Sequence, residues 1–363
     1  MPSHHIAYFV SPHGFGHAAR ACAVMTALHT LDAALEFEIF TRAPRWFFAE
    51  SLGFAFGYHE LLTDIGLVQR SPLEEDLTAS LGELEKFIPF SAQRLDALAL
   101  SLSDLGCRLV LCDISPLGIA AAQAAHLPAI LIENFTWDWI YSGYRDAEPE
   151  FERFIPEFAR LFASATAHIQ TEPVCAPSPT ATLTTNPVGR TPRLSATAIR
   201  QELRIPEGAA AVLITMGGFE LEYTFLERFK HLKDTYFIVP GGAESFQTRG
   251  NLILLPHHSA YYHPDLLYAA DAVISKAGYS TIAEAYQAGI PFGYVSRALF
   301  RESPILSDFI RQQMQGIAID GATFDSGEWI DAIPQLLSLP RISRPKMNGA
   351  EQIALFIYTK FIE

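Results

Sequence analysis

The chain lacks the marks of several common functions. Its four cysteines, Cys22, Cys107, Cys112 and Cys175, form no C-x-x-C pair, which argues against a zinc site or redox dithiol and for buried, reduced thiols. There is no Asp-x-Asp and no G-x-x-x-x-G-K-[ST] loop, so neither a carboxylate clamp for a metal diphosphate nor a P-loop kinase is signalled. No apolar run reaches the roughly 18–20 residues of a membrane span. The start, Met1-Pro2-Ser3-His4-His5, has no basic segment leading into a long apolar one. Cations are scarce, with 26 Lys and Arg against 40 Asp and Glu for a net charge of −14. Nucleic acid and anionic membrane surfaces would be repelled at long range. The expectation is a cytoplasmic protein with no stable membrane insertion and no bound metal. The one histidine cluster, Pro256-His257-His258 with His263, has no carboxylate or thiolate at ligand spacing beside it.

What is present is a long, apolar chain. Its 363 residues are 49% hydrophobic and 18% charged, enough for two domains with separate cores. Strand-like runs at 6–10, 37–41, 54–58, 108–113, 129–133 and 167–171 alternate with helical patterns. After a Pro- and Thr-rich stretch the pattern restarts at 211–216, 236–240, 252–256, 272–275, 292–296 and 316–320. Short β-branched runs alternating with helices predict α/β domains with parallel sheets covered on both faces. The expected division is a first domain at 1–172, a linker at 173–195, a second domain at 196–345 and a helix within 346–363. Ile353, Phe356, Ile357 and Phe361 give that last segment an apolar stripe.

Each half carries a Gly-punctuated turn between a strand and a helix, the geometry that offers backbone amides to an anion. The first is Ser11-Pro12-His13-Gly14-Phe15-Gly16-His17-Ala18-Ala19. Gly14 to Ala19 fit the G-x-G-x-x-A dinucleotide fingerprint, but the ribose-binding acid expected at the end of the next strand is replaced by Thr41-Arg42. That disfavours a nicotinamide enzyme. His17 would lie in the first helical turn, where the positive helix end favours the neutral imidazole that a general base requires. Asp113 ends the run Leu109-Val110-Leu111-Cys112, placing a carboxylate at the sheet edge that faces the first turn. It could hold the imidazole's other nitrogen or serve as a turn residue before Pro116.

The second turn is Ser275-Lys276-Ala277-Gly278-Tyr279-Ser280-Thr281, followed by Glu284. Lys276 with helix-terminal amides would suit a diphosphate, or be a solvated surface cation. Glu284 has two readings, as the return half of a capping box begun by Thr281 or as a bidentate acceptor for ribose hydroxyls. A third turn, Thr215-Met216-Gly217-Gly218-Phe219, could approach the same phosphates or be an ordinary turn.

These residues together resemble the GT-B glycosyltransferases, specifically the MurG-like branch and the glycosyltransferase-like domain of plant L-arabinokinases. The likeness rests on Gly14 to Arg20, on Ser275 to Glu284 and on Ala288-Gly289-Ile290-Pro291, and runs nearly the full length. It implies two facing Rossmann-like domains, the second holding a nucleoside diphosphate sugar, a UDP-sugar in the nearest branches, with a C-terminal helix crossing back to the first. It further implies His17 as the deprotonating base with Asp113 as its partner, and Glu284 on the ribose. Lys276, Gly278, Tyr279, Ser280, Thr281, Gly217 and Gly218 would surround the diphosphate, and Pro256, His257 and His258 the base. Gly14 and Gly16 would line the donor site from the first domain. Asn134, Trp137 and Asp138 would meet a small or glycan acceptor, with aromatic faces for a sugar ring. Many relatives carry an Asp-Gln or Gln-Gln pair for the donor sugar, where this chain has Arg301-Glu302-Ser303-Pro304. Glu302 would take the acidic role. The implied activity is metal-independent, inverting transfer of hexosyltransferase type, with no cofactor beyond the donor. Two alternatives stay open: Gly14 to Arg20 also resemble nucleotide-sugar hydrolases of the PseG type, and the missing Gln suits a noncatalytic sugar-nucleotide binder.

Overall fold

The computed structural model describes residues 4–71, 74–216, 226–297, 300–344 and 347–363. The chain forms two compact units, one of Met1–Val188 with Met347–Glu363 and one of Gly189–Lys346. The division falls inside the stretch read as a linker.

In the first unit the strands are β1 (His4–Val10), β2 (Leu35–Thr41), β3 (Gly57–Glu60), β4 (Gln69–Ser71), β5 (Glu74–Glu75), β6 (Cys107–Asp113), β7 (Ala129–Glu133), β8 (Ala167–Thr171) and β9 (Leu183–Thr185). Seven of them make one sheet, ordered β3-β2-β1-β6-β7-β8-β9, and every pairing in it is parallel. Burial on both faces explains why β1, β6 and β7 read as continuous apolar runs rather than alternating ones. Ile6, Tyr8 and Val10 share one core with Leu109, Leu111, Ile130 and Ile132, the alternate residues of three neighbouring strands. Helix Phe15–Leu31 covers that face with Ala18, Cys22 and Met25, and helix Gly349–Ile357 adds Ala350, Ile353, Ala354 and Ile357 to the same core. Asn348 starts the C-terminal helix with a capping box. Its Oδ1 accepts from Ala350 N at 2.9 Å, and Glu351 accepts from Asn348 N at 2.8 Å.

The second unit contains β10 (Ala210–Thr215), β11 (Thr235–Pro240), β12 (Gln247–Arg249), β13 (Leu252–Leu255), β14 (Ala272–Lys276), β15 (Phe292–Val295) and β16 (Gly316–Ile319). Their order is β12-β13-β11-β10-β14-β15-β16. All pairings are parallel except the edge strand β12, which runs antiparallel to β13. Ala211, Leu213, Ile238, Ile253, Leu255, Val273, Phe292 and Tyr294 form its core.

Three elements differ from the sequence reading. The run 54–58 pairs as a strand only from Gly57, because Phe54 is used as a side chain, stacked on His29 at 4.0 Å. β9 lies within the expected linker and extends the first sheet. β12 carries no apolar pattern, since an edge strand has little to bury.

In each unit the chain builds outward on one side of its first strand and then returns to the other. The order therefore reverses between β1 and β6 and between β10 and β14. At such a switch point the loops leaving the carboxyl ends of two adjacent strands diverge and open a crevice. Val10 is opposite Asp113 in the first, and Thr215 opposite Ser275 in the second. Both Gly-punctuated turns thus start at a switch point.

Ile353→Ala should cost the protein about 2–5 kcal/mol, as a fully buried aliphatic truncated to a cavity does. Leu355→Ala, on the exposed side of the same helix, should stay within about 0.5 kcal/mol. Urea unfolding of the two variants checks that this helix is part of the first core.

Candidate active site

The first site is built by three consecutive carboxyl ends. β1 leads through Gly14 into the helix that begins at Phe15, β6 ends on Asp113, and Asn134 follows β7. Gly14 sits at φ 78, ψ 172 and caps the helix without a side chain, a backbone state open essentially to glycine alone. Ile114, directly after Asp113, has φ 43, an unusual value for a β-branched residue. The chain bends sharply at the carboxylate.

His17 is the third residue of its helix, and its Nδ1 lies 2.7 Å from Asp113 Oδ1. Since an ionised carboxylate only accepts, Nδ1 carries a proton, and in the neutral ring the lone pair lies on Nε2. Nε2 has no hydrogen-bond partner among the described residues. Arg20, one turn further along the helix, donates from Nε to Asp113 Oδ2 and from Nη2 to Oδ1, each at 2.7 Å. Its Nη1 donates to Asn134 Oδ1 at 2.7 Å. Asp113 is fully buried and Arg20 is 1% exposed. Burial alone would raise the Asp113 pKa, but the charge and hydrogen bonds of Arg20, then those of His17, hold it below its ordinary value of 3.8. Sequence reasoning found the His17–Asp113 pair and gave Arg20 no role, although its i+3 spacing from His17 puts both on one helix face.

The residues expected to meet an acceptor are placed differently. Asn134 is buried, with its oxygen engaged by Arg20 and its nitrogen 3.9 Å from Cys175 Sγ. Trp137 is wholly buried, stacked on Tyr141 at 5.8 Å between centroids and edge-on to His13 at 5.4 Å. Neither offers an open face. Asp138 keeps one buried oxygen, Oδ1, without a hydrogen-bond partner among the described residues. Burial first, then the charge of Glu133, raises its pKa against hydrogen bonds from Thr136, Asp138 and Trp139. Asp64, which the sequence gave no reason to single out, is buried beside this group. Its oxygens accept from Ser11 Oγ at 3.1 Å and Trp137 Nε1 at 3.3 Å.

In the second unit Lys276 ends β14, and Gly278 is the N-cap of helix Tyr279–Ala288 with no side-chain cap bond. Tyr279, Ser280 and Thr281 make the first turn. The capping-box reading of Glu284 does not hold, because the helix starts before Thr281 and the carboxylate is turned elsewhere. Glu284 is 1% exposed and accepts from Arg190 Nε at 2.8 Å, with His263 Nδ1 at 3.1 Å from its other oxygen. Burial pushes its pKa up, and Arg190 and His263 bring it below the ordinary 4.5. Pro256, His257 and His258 follow the carboxyl end of β13, the same sheet edge as Lys276. Glu302 is buried ahead of helix Ser303–Gln313, where the Ser303 hydroxyl is buried without a hydrogen-bond partner among the described residues. Gly217 and Gly218 lie outside the described residues. Among the described residues no three His, Cys, Asp or Glu side chains are grouped to hold a metal ion. No helix among them is long and apolar enough to cross a membrane.

Two α/β units with polar groups gathered at both switch points are the build of a GT-B glycosyltransferase, and solved structures of that fold superpose along the whole chain. SnogD, a glycosyltransferase from Streptomyces nogalater, is 17% identical with a TM-score of 0.57, covering 98% of this chain and 99% of its own. MurG from Acinetobacter baumannii is 13% identical with a TM-score of 0.56, covering 98% and 99%. Residues 4–332 match the family described as glycosyl transferase family 1, and the chain belongs to that family. Among curated proteins the chain is similar to L-arabinokinase from Arabidopsis thaliana, 28% identical over 355 residues. That match takes in 95% of this chain but only 33% of the arabinokinase, so the chain spans about a third of its relative's length.

Arg20→Met leaves Asp113 buried without its cation and should destabilise the protein by about 3–5 kcal/mol. Arg20→Lys should recover part of this, since a point charge cannot span both oxygens and Asn134. Asp113 and Glu284, with pKa values depressed on folding, stabilise fully above their ordinary 3.8 and 4.5 and lose that contribution as pH falls through the lower folded values. The urea midpoint should therefore drop on acidification below about pH 4, and Asp113→Asn should make that drop shallower.

Proposed function

We propose that this glycosyltransferase moves a sugar from a nucleoside diphosphate sugar, a UDP-sugar, to an acceptor hydroxyl, with inversion and without a metal ion. The observation that carries this reading is His17, whose Nδ1 proton is committed to a buried, arginine-held Asp113 while Nε2 remains a base. In the proposed step Nε2 takes the acceptor's hydroxyl proton, the acceptor oxygen bonds to the anomeric carbon, and the bond to the diphosphate oxygen breaks. The leaving diphosphate takes the electron pair. Asp113 orients the ring and stabilises the imidazolium that forms.

The second unit's part is the donor. Lys276 and the N-terminal end of the Tyr279 helix supply positive charge for the diphosphate in place of a metal. Gly278 is the residue at which phosphate oxygens come close to backbone, with Ser280 and Thr281 as hydroxyl donors in the first turn. Glu284 takes the ribose hydroxyls while Arg190 and His263 keep it ionised and fixed. Its two oxygens have lone pairs left beyond the two bonds they accept. Pro256, His257 and His258 flank the base, and Glu302 with Ser303 meets the sugar. On the first unit Gly14 and Gly16 supply backbone, and Asp138, half-buried, is the expected acceptor residue that keeps some exposure.

The burial of Trp137 and Asn134 favours one second reading, hydrolysis, in which water replaces the acceptor and His17 activates it.

A thermal-shift screen of nucleotide sugars identifies the donor, since a ligand at 100 times its Kd adds about 2.7 kcal/mol. His17→Ala should lower turnover of that donor by about 10²–10⁴-fold with its Kd unchanged, and Lys276→Ala should weaken the Kd. Full turnover in His17→Ala would remove the imidazole from the mechanism. Sugar released at the same rate with and without acceptors would decide for hydrolysis.

A further inference from the structure

Asp64 is the buried carboxyl of the first unit that the proposed reaction does not use. It lies in the segment between β3 and β4 and is 1% exposed. Side chains from several elements converge on that segment. Thr63 Oγ1 donates to Val10 O at 2.7 Å, and Ser115 Oγ donates to Thr63 O at 3.1 Å. Tyr141 Oη donates to Gly66 O at 3.0 Å, and Arg94 Nη2 donates to Leu62 O at 2.9 Å. Gly66 has φ 61, and a Cβ there would come within 2.8 Å of His13 Nδ1 and 3.0 Å of the Trp137 ring. The segment is fitted directly against the turn that leads to His17.

Asp64 makes the two bonds that close this arrangement. Ser11, which donates to its Oδ1, follows β1 and also accepts from His13 N at 3.3 Å. Trp137, which donates to Oδ2, opens the short helix after β7. One carboxyl therefore joins three segments, all adjoining the carboxyl ends that carry His17 and Asp113.

We propose that Asp64 is a positioning residue for sugar transfer, fastening the Ser11–His13 turn, and through it the entry to the His17 helix, to the Trp137 helix and the segment after β3. The proposal rests on the transfer reading for its catalytic consequence, but the fastening itself can be measured without any substrate. Burial raises the Asp64 pKa to about 7, with the charge of Asp113 adding to the rise and the Ser11 and Trp137 hydrogen bonds opposing it. The other titratable and charged groups facing the segment are His13 in the turn, Tyr141 on the Trp137 helix, and Arg94, which reaches Leu62 O.

Three variants separate fastening from charge and from folding. Asp64→Ala removes both ties. Asp64→Asn keeps them, because the amide oxygen can accept from the indole and the amide nitrogen can donate to Ser11, whose hydroxyl rotates. Trp137→Phe removes one tie and keeps the ring. In the full-length protein labelled with ¹⁵N-tryptophan, the indole signal absent from Trp137→Phe identifies Trp137. It should lie at a different position in Asp64→Ala from the wild type, because the indole loses its acceptor, and stay close to the wild-type position in Asp64→Asn. An indole signal that Asp64→Ala leaves in place overturns the fastening, whatever reaction the protein catalyses. With the nucleotide sugar selected by the screen, Asp64→Ala should lose about 10- to 100-fold in turnover, the cost of a small misplacement of a catalytic group. The donor Kd should not change, and Asp64→Asn should restore turnover to the wild-type order of magnitude. Turnover of Asp64→Ala equal to wild type, or an Asp64→Asn no better than Asp64→Ala, overturns the positioning role. If Asp64→Ala does not fold, the smaller loss expected in Trp137→Phe takes its place, and its absence counts against the proposal equally. A wild type that consumes no nucleotide sugar fails the transfer reading and leaves the indole signal of the variants to decide the fastening.

Discussion

A carboxylate with no exposed surface must find its compensation inside the protein, and the first unit is organised around doing that for Asp113. Stripping water from such a group costs several kcal/mol, so Asp113 stays charged only because Arg20 meets both its oxygens and His17 adds a third bond. Each partner is fixed in turn. Arg20 comes from the same helix as His17 and is tied to Asn134 beyond β7, so helix Phe15–Leu31 cannot rotate or slide without breaking the charge pair. The parallel register that sets Val10 beside Asp113 brings that helix to the carboxylate in the first place. Fold and acid–base pair are thus one constraint seen at two scales.

The second unit solves the same problem with other residues. Glu284 is as buried as Asp113 and is likewise held by an arginine and a histidine nitrogen. The two sites differ in what lies beside the carboxylate. In the first unit it is a histidine, whose second nitrogen suits a moving proton. In the second it is the start of the Tyr279 helix following Lys276, whose positive charge suits a standing negative one. Similar sheets and similar buried carboxylates thus stand beside different side chains, and the difference lies in the few residues of each turn.

The parts of this arrangement legible from sequence are those that depend on neighbours along the chain. A run such as Leu109 to Asp113 announces both a buried strand and the carboxylate at its end, and the spacing from Gly14 to His17 places a histidine in a first helical turn. What could not be read depends on which side chain fills a volume. The residues Asn134 to Trp139 look like an open aromatic platform, yet Trp137 packs inward between Tyr141 and His13, and Asn134 is taken by an arginine 114 positions away. Thr281 and Glu284 have the spacing of a capping box, yet Gly278 begins the helix, and Arg190, just past the divide between the units, claims the carboxylate. Asp64 stands in a segment with no period and no motif. Only its contacts reveal it.

The third buried carboxyl is held on other terms. Asp113 and Glu284 are each met by an arginine, and both have pKa values below the ordinary range. Asp64 is met by a serine hydroxyl and an indole instead, and burial pushes its pKa up. Neutral donors fix the position of a carboxyl group without asking that it be charged. What Asp64 supplies to its neighbours is therefore a pair of fixed hydrogen-bonding atoms, and an amide of the same shape can stand in for it.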